Sequence, residues 1–96
     1  MRIKILTFQD MELNEMIDFL DLSLDKKIKT LYEKGDFIMS IRYYKYKINL
    51  YQLGQEFFEV FINHKKAMIE KIQPLDRSHS RMKFYTDQIH LSKLDT

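Results

Sequence analysis

Three groups of side chains have the types and spacing to do chemistry. The first is Arg42-Tyr43-Tyr44-Lys45-Tyr46-Lys47, where basic and aromatic residues interleave. On a sheet, cations of this kind track phosphates while rings stack on bases, each stack worth ~1–3 kcal/mol. Arg42, Tyr43, Lys45, Tyr46 and Lys47 are therefore candidate contacts to single-stranded nucleic acid. The second group centres on Glu59, flanked by Phe58 and Val60 in the most apolar stretch of the chain. A carboxylate walled by aromatics acquires a raised pKa and can serve as an acid or base. It can equally take an ion pair or a tyrosine hydrogen bond, with Tyr51 and Arg42 as the expected partners. The third is Arg77-Ser78-His79-Ser80-Arg81, where hydroxyls and free backbone N–H groups at a helix start could hold a phosphate.

Other chemistry is thin. His64, His79 and His90 stand apart from one another and from carboxylates at helical metal-ligand spacing, so no metal site is expected. There is no glycine-rich phosphate loop and no nucleophile motif of the hydrolase type. Zero Cys removes disulfides, cysteine zinc sites, iron–sulfur clusters and thiol catalysis together. No cofactor is expected, and no enzymatic role.

The frame that must hold these groups is small. A chain of 96 residues is one domain, 1–96, and 45% hydrophobic with 31% charged residues is the composition of a globular protein. A net charge of +2 creates no field demanding a polyanionic partner. No apolar run approaches the ~20 residues that span a bilayer, so no membrane association is expected. Met1-Arg2-Ile3-Lys4-Ile5-Leu6 is interrupted too soon for a signal peptide. With no thiols, the expected compartment is the cytoplasm.

Only Gly35, Gly54 and Pro74 punctuate the chain. Before Gly35 the apolar spacing is helical. Met11, Leu13, Met16, Ile17 and Leu20 predict one helix capped by Asp10. Leu24, Ile28, Leu31 and Tyr32 predict a second, capped by Ser23, closed by Lys34 and ended by Gly35 in a left-handed conformation. One continuous helix from Asp10 to Lys34 is the alternative, against which the Asp21–Asp25 stretch argues. After Gly35 the period becomes two, predicting strands over Phe37–Tyr43, Tyr46–Leu53, Glu56–Asn63 and Met68–Gln73. Ile69 and Ile72 fall on opposite faces of a regular strand, which predicts a bulge or a short edge strand, with Lys71 discouraging edge pairing. Beyond Pro74, Asp76 or Ser78 can cap a last helix carrying Met82, Tyr85 and Ile89. The expected fold class is α+β: a four-stranded antiparallel meander with two N-terminal helices and one C-terminal helix, all packed on one face.

The stretch from Lys34 to Ile72 resembles a group of short uncharacterised bacterial proteins of Bacteroidetes type. The residues that carry this are Lys34-Gly35-Asp36-Phe37, Arg42, Leu50-Tyr51-Gln52-Leu53, Phe57-Phe58-Glu59-Val60-Phe61 and Ile69-Glu70-Lys71-Ile72. They resemble the group's LYxL, FxEVxY and IxKI strand patterns. The resemblance implies the meander and a bacterial, intracellular setting, and it carries no activity.

Across Gly54, a three-residue loop would set Leu50 opposite Val60 and Ile48 opposite Ile62, collecting the apolar residues on one face. That register leaves Tyr51, Phe57, Glu59 and Phe61 together on the other face. Rings exposed together form an interface for a protein partner or a second copy. The sequence thus points first to a protein-interaction module and second to a single-stranded nucleic-acid binder.

Overall fold

The computed structural model describes residues 13–95, with side chains over 16–88. Its elements are α1 (Leu13–Leu20), α2 (Leu24–Lys34), β1 (Asp36–Tyr43), β2 (Tyr46–Leu53), β3 (Glu56–Asn63), β4 (Met68–Pro74) and α3 (Met82–Asp95). The sheet order is β1-β2-β3-β4, every neighbour antiparallel: the α+β meander with two helices before it and one after. The Asp10 cap and Met11 lie outside the described residues, as do the side chains of Leu13, Ile89 and His90.

Two separate helices form, not one. The backbone leaves α1 at Asp21 and Leu22, and the Ser23 hydroxyl accepts from the Lys26 N–H, restarting the helix. Gly35 ends α2 differently from expectation. Its φ of −91° and ψ of 166° are extended. What demands glycine is crowding, because a Cβ there would lie 2.8 Å from the Leu31 carbonyl oxygen and 3.2 Å from that of Gln52. The left-handed glycine is Gly54, with φ of 65° at the first position of a two-residue turn.

That turn corrects the register. Leu53 pairs with Glu56, which sets Leu50 opposite Glu59 and Asn49 opposite Val60. A three-residue loop sorts apolar from polar residues more cleanly, but that criterion holds only where one face is wet. Here both faces are covered. Leu53, Phe58, Val60 and Ile72 pack under α1 and α2 with Phe19 and Leu31. Ile41, Ile48, Leu50 and Phe61 pack under α3 with Tyr85. The helices therefore divide between the two faces rather than sharing one, and β3 is apolar on both sides because both are dry.

Two bulges adjust the edge strands. In β1 the register slips between Phe37 and Met39. Residues two apart normally share a face, but here Phe37 lies opposite Tyr51 on the α2 side and Met39 opposite Leu50 on the α3 side. In β4 the slip at Glu70 returns Ile69 and Ile72 to the same core, which fulfils the bulge expected from their spacing. Glu70 is held there by Tyr46 Oη (2.9 Å) and Asn63 Nδ2 (2.8 Å), and Asn63 Oδ1 accepts the N–H groups of Lys65 and Lys66 in the next turn. At the open edge of β1, Gln88 Nε2 donates to the Ser40 carbonyl (2.9 Å).

Two stability outcomes follow from these contacts. Gly35→Ala forces two backbone segments apart and lowers unfolding free energy by about 1–3 kcal/mol in urea titration. The amide and phenol donors hold the Glu70 carboxyl below the usual carboxylate range. Its contribution is therefore present above the ordinary carboxylate pKa and is lost as pH falls through the depressed one. Glu70→Gln flattens that acid limb of the urea midpoint against pH and leaves its shape near neutrality unchanged.

Candidate functional site

The most concentrated polar chemistry among the described residues lies between the sheet and α3. Glu59 points from the centre of β3 into this space and is fully buried. A bare carboxylate there would be intolerable, and its partners come from Arg81, just before α3, and from Tyr85 within it. Arg81 Nε donates to Oε2 (2.8 Å) and Nη2 to Oε1 (2.6 Å), a bidentate pair; Tyr85 Oη adds a third bond to Oε2 (2.8 Å). Arg81 is 4% exposed and Tyr85 2%. The guanidinium also lies over the rings of Phe61 (5.3 Å) and Tyr43 (5.7 Å). Arg81 is the last residue before α3 and Tyr85 lies in its first turn, so both reach the same carboxylate from one end of the helix.

The loop before α3 is braced to aim Arg81. The Asp76 carboxylate accepts both the N–H (3.0 Å) and the hydroxyl (2.6 Å) of Ser78, which holds its pKa below the ordinary value. His79 donates its N–H to the Asp76 carbonyl, and its Nδ1 accepts the Arg81 N–H at 3.1 Å. Hydrogen bonding to Glu59 raises the Arg81 pKa, while burial first and Glu59 second push the Tyr85 phenol up. The cluster is saturated: every oxygen of Glu59 already has a donor.

Beside the cluster opens a cleft of about 350 Å³. Leu50 and Phe57 from the sheet, and Met82 and Tyr85 from α3, form its walls; Gln52 and Arg77 stand on its lining.

The residues singled out in the sequence are distributed differently from expectation. Glu59 meets neither Tyr51 nor Arg42. Tyr51 lies on the opposite face, half-buried, and Phe61 is sealed beneath α3. Tyr51, Phe57, Glu59 and Phe61 thus form no single exposed surface, a direct result of the two-residue turn. Tyr51 instead contacts Tyr32 and Phe37, each with ring centroids 5.6 Å away, and both are more than half exposed. Burial, then Tyr32, pushes the Tyr51 phenol up to about 12.

The basic-aromatic strand also splits. Arg42 and Lys47 are cross-strand partners on one face, lining a hollow with His64. Tyr43 and Tyr46 pair on the other. Tyr43 packs edge-on to His79 beneath α3, and Tyr46 bonds Glu70 and packs on Phe61. The rings that would stack on bases are engaged within the fold, and Tyr44, in the turn at φ 55°, is solvent-exposed with its ring edge-on to Tyr43. The Arg77–Arg81 phosphate cradle is likewise occupied from within, since Arg81 serves Glu59 and Ser78 serves Asp76. Among the described residues no group of His, Asp or Glu is arranged to hold a metal ion, and no helix is long and apolar enough to cross a membrane.

Comparison with known protein families, curated proteins and solved structures finds no match. The site is therefore read from its own geometry.

Sequence reasoning missed Arg81 and Tyr85 as the partners of Glu59. One signal was available: a carboxylate in a doubly apolar strand requires a donor from elsewhere, and Tyr85 already falls on the apolar stripe of α3. Arg81→Met leaves Glu59 buried without its cation and is expected to lower stability by about 3–5 kcal/mol. Tyr85→Phe costs about 1 kcal/mol. The double variant Glu59→Leu/Arg81→Met loses less than Arg81→Met alone, as measured by urea unfolding.

Proposed function

We propose that the protein is a non-catalytic interaction module, which pairs with a second copy of itself through Tyr32, Phe37 and Tyr51. One observation carries this reading. Tyr32 (53%) and Phe37 (54%) are open to solvent while touching the same third ring, Tyr51, at a sheet edge. Single exposed apolar residues are ordinary, whereas rings in mutual contact make a patch of the kind that marks an interface.

The charges around the patch argue for a like partner. Glu33 and Lys34 follow Tyr32 along the chain and Asp36 precedes Phe37, so the sequence around the rings carries both signs. A twofold pairing sets acid against base around such a patch, while a strongly acidic or basic partner gains little from it. Saturation of Glu59 supports the non-catalytic part, because a carboxylate with every oxygen hydrogen-bonded inside the fold has no site left for substrate. The strand resemblance between Lys34 and Ile72 supports a bacterial, cytoplasmic setting.

Nucleic-acid binding through Arg42, Tyr43, Lys45, Tyr46 and Lys47 has less behind it, since Tyr43 and Tyr46 spend their faces on α3, Glu70 and Phe61.

Sedimentation velocity from micromolar to sub-millimolar protein tests the proposal. The wild type should shift from monomer to dimer with concentration. Phe37→Lys, at an exposed position, should remain monomeric with an unchanged circular-dichroism melt. A wild type that stays monomeric throughout, or a Phe37→Lys that dimerises equally well, overturns it.

A further inference from the structure

The cleft between the sheet and α3 is independent of the aromatic patch. We propose that it binds a small amphipathic carboxylate, the apolar chain against Leu50, Met82 and Tyr85 and the carboxylate at Arg77.

Its size and lining fit that class. About 350 Å³ lies at the small end of ligand cavities and matches a short or medium apolar chain rather than a bulky lipid. Met39 and Met82 contribute unbranched thioether chains that adapt to a slender ligand. Tyr85 gives one wall a fixed position, because its hydroxyl is tied to Glu59. The apolar end is thus partly rigid and partly compliant.

The polar end decides the sign of the ligand. Arg77 is the one charged residue on the lining, and its guanidinium lies over the Phe57 ring at 5.4 Å. Among the described residues no carboxylate lies within ion-pair distance of it; the Asp76 carboxylate next in sequence is turned to Ser78. The neighbouring cation, Arg81, is neutralised by Glu59, so the cleft presents a single uncompensated positive charge. Gln52, directly opposite Phe57 in the sheet, lies at the same end with its Nε2 held by the Gly54 carbonyl (3.0 Å), which leaves Arg77 as the group that meets the head. A planar guanidinium stacked on a ring offers a carboxylate two parallel donors. One cation suits a singly charged head better than a phosphate.

Isothermal titration with decanoate, hexanoate, decanol and decylammonium, each below its micelle concentration, reads the proposal directly. Decanoate is expected to bind saturably and with unit stoichiometry. Hexanoate, four methylenes shorter, should bind about 250-fold more weakly, at roughly fourfold per methylene withdrawn from water. Arg77→Gln, exposed and remote from the core, should cost decanoate about tenfold and leave decanol unchanged. Absence of saturable decanoate binding, equal affinity for decylammonium, or full decanoate affinity in Arg77→Gln each overturns the assignment. A dimerisation result in either direction leaves these readouts intact.

Discussion

A negative charge in the dry middle of the sheet organises this protein. Glu59 has no water and no partner within its own strand pair, so the fold must bring a cation to it from elsewhere. Arg81 answers with two bonds and Tyr85 with a third. An ion pair of this kind contributes little net stability over an apolar substitute, because desolvation offsets most of the attraction. What it imposes is position. The guanidinium fork accepts one orientation of the carboxylate, and that orientation fixes where the first turn of α3 lies on the sheet. The Asp76–Ser78–His79 loop is shaped to deliver it, and the cleft is the space left when α3 is pinned at that point.

Local features of the fold were legible because each has a local cause. The shift from helical spacing to alternation at Gly35, the Ser23 cap and the bounds of β2 and β3 follow from residues within a few positions of the boundary. By contrast, β1 starts one residue earlier than expected, at Asp36, and β4 runs one further, through Pro74. Even the β4 bulge could be read, since two isoleucines three apart cannot share a face of a regular strand. The register across Gly54 could not. Sorting apolar from polar residues assumes that one face is wet, and Phe57, Glu59 and Phe61 look like that face until α3 covers them. The Glu59–Arg81 pair was hidden for the same reason, since its members are joined by packing rather than by a pattern. Gly35 was identified as a helix end for the wrong cause: the backbone of Gln52 crowds it, and that strand is distant in sequence.

The bulge in β1 is what gives the molecule two different surfaces. By inserting Ile38 out of register it sends Phe37 toward α2 and Met39 toward α3. Phe37 then completes the ring cluster with Tyr32 and Tyr51, and Met39 lines the cleft. Without the bulge both residues would lie on the same side. The edge strand thus serves two faces of unlike chemistry within three residues, and farther along it Gln88 closes the Ser40 carbonyl.

The meander order has a consequence for how the chain assembles. Each strand pairs with the one made just before it, so the sheet can zip up hairpin by hairpin, without waiting for distant sequence. Where α3 is not docked, the face it covers is greasy and bare, and such surfaces glue chains together. Glu59 then stands unpaired in its middle, a gatekeeper charge that resists stacking by another sheet until Arg81 docks. The residue that looks costly in the finished protein protects the unfinished one.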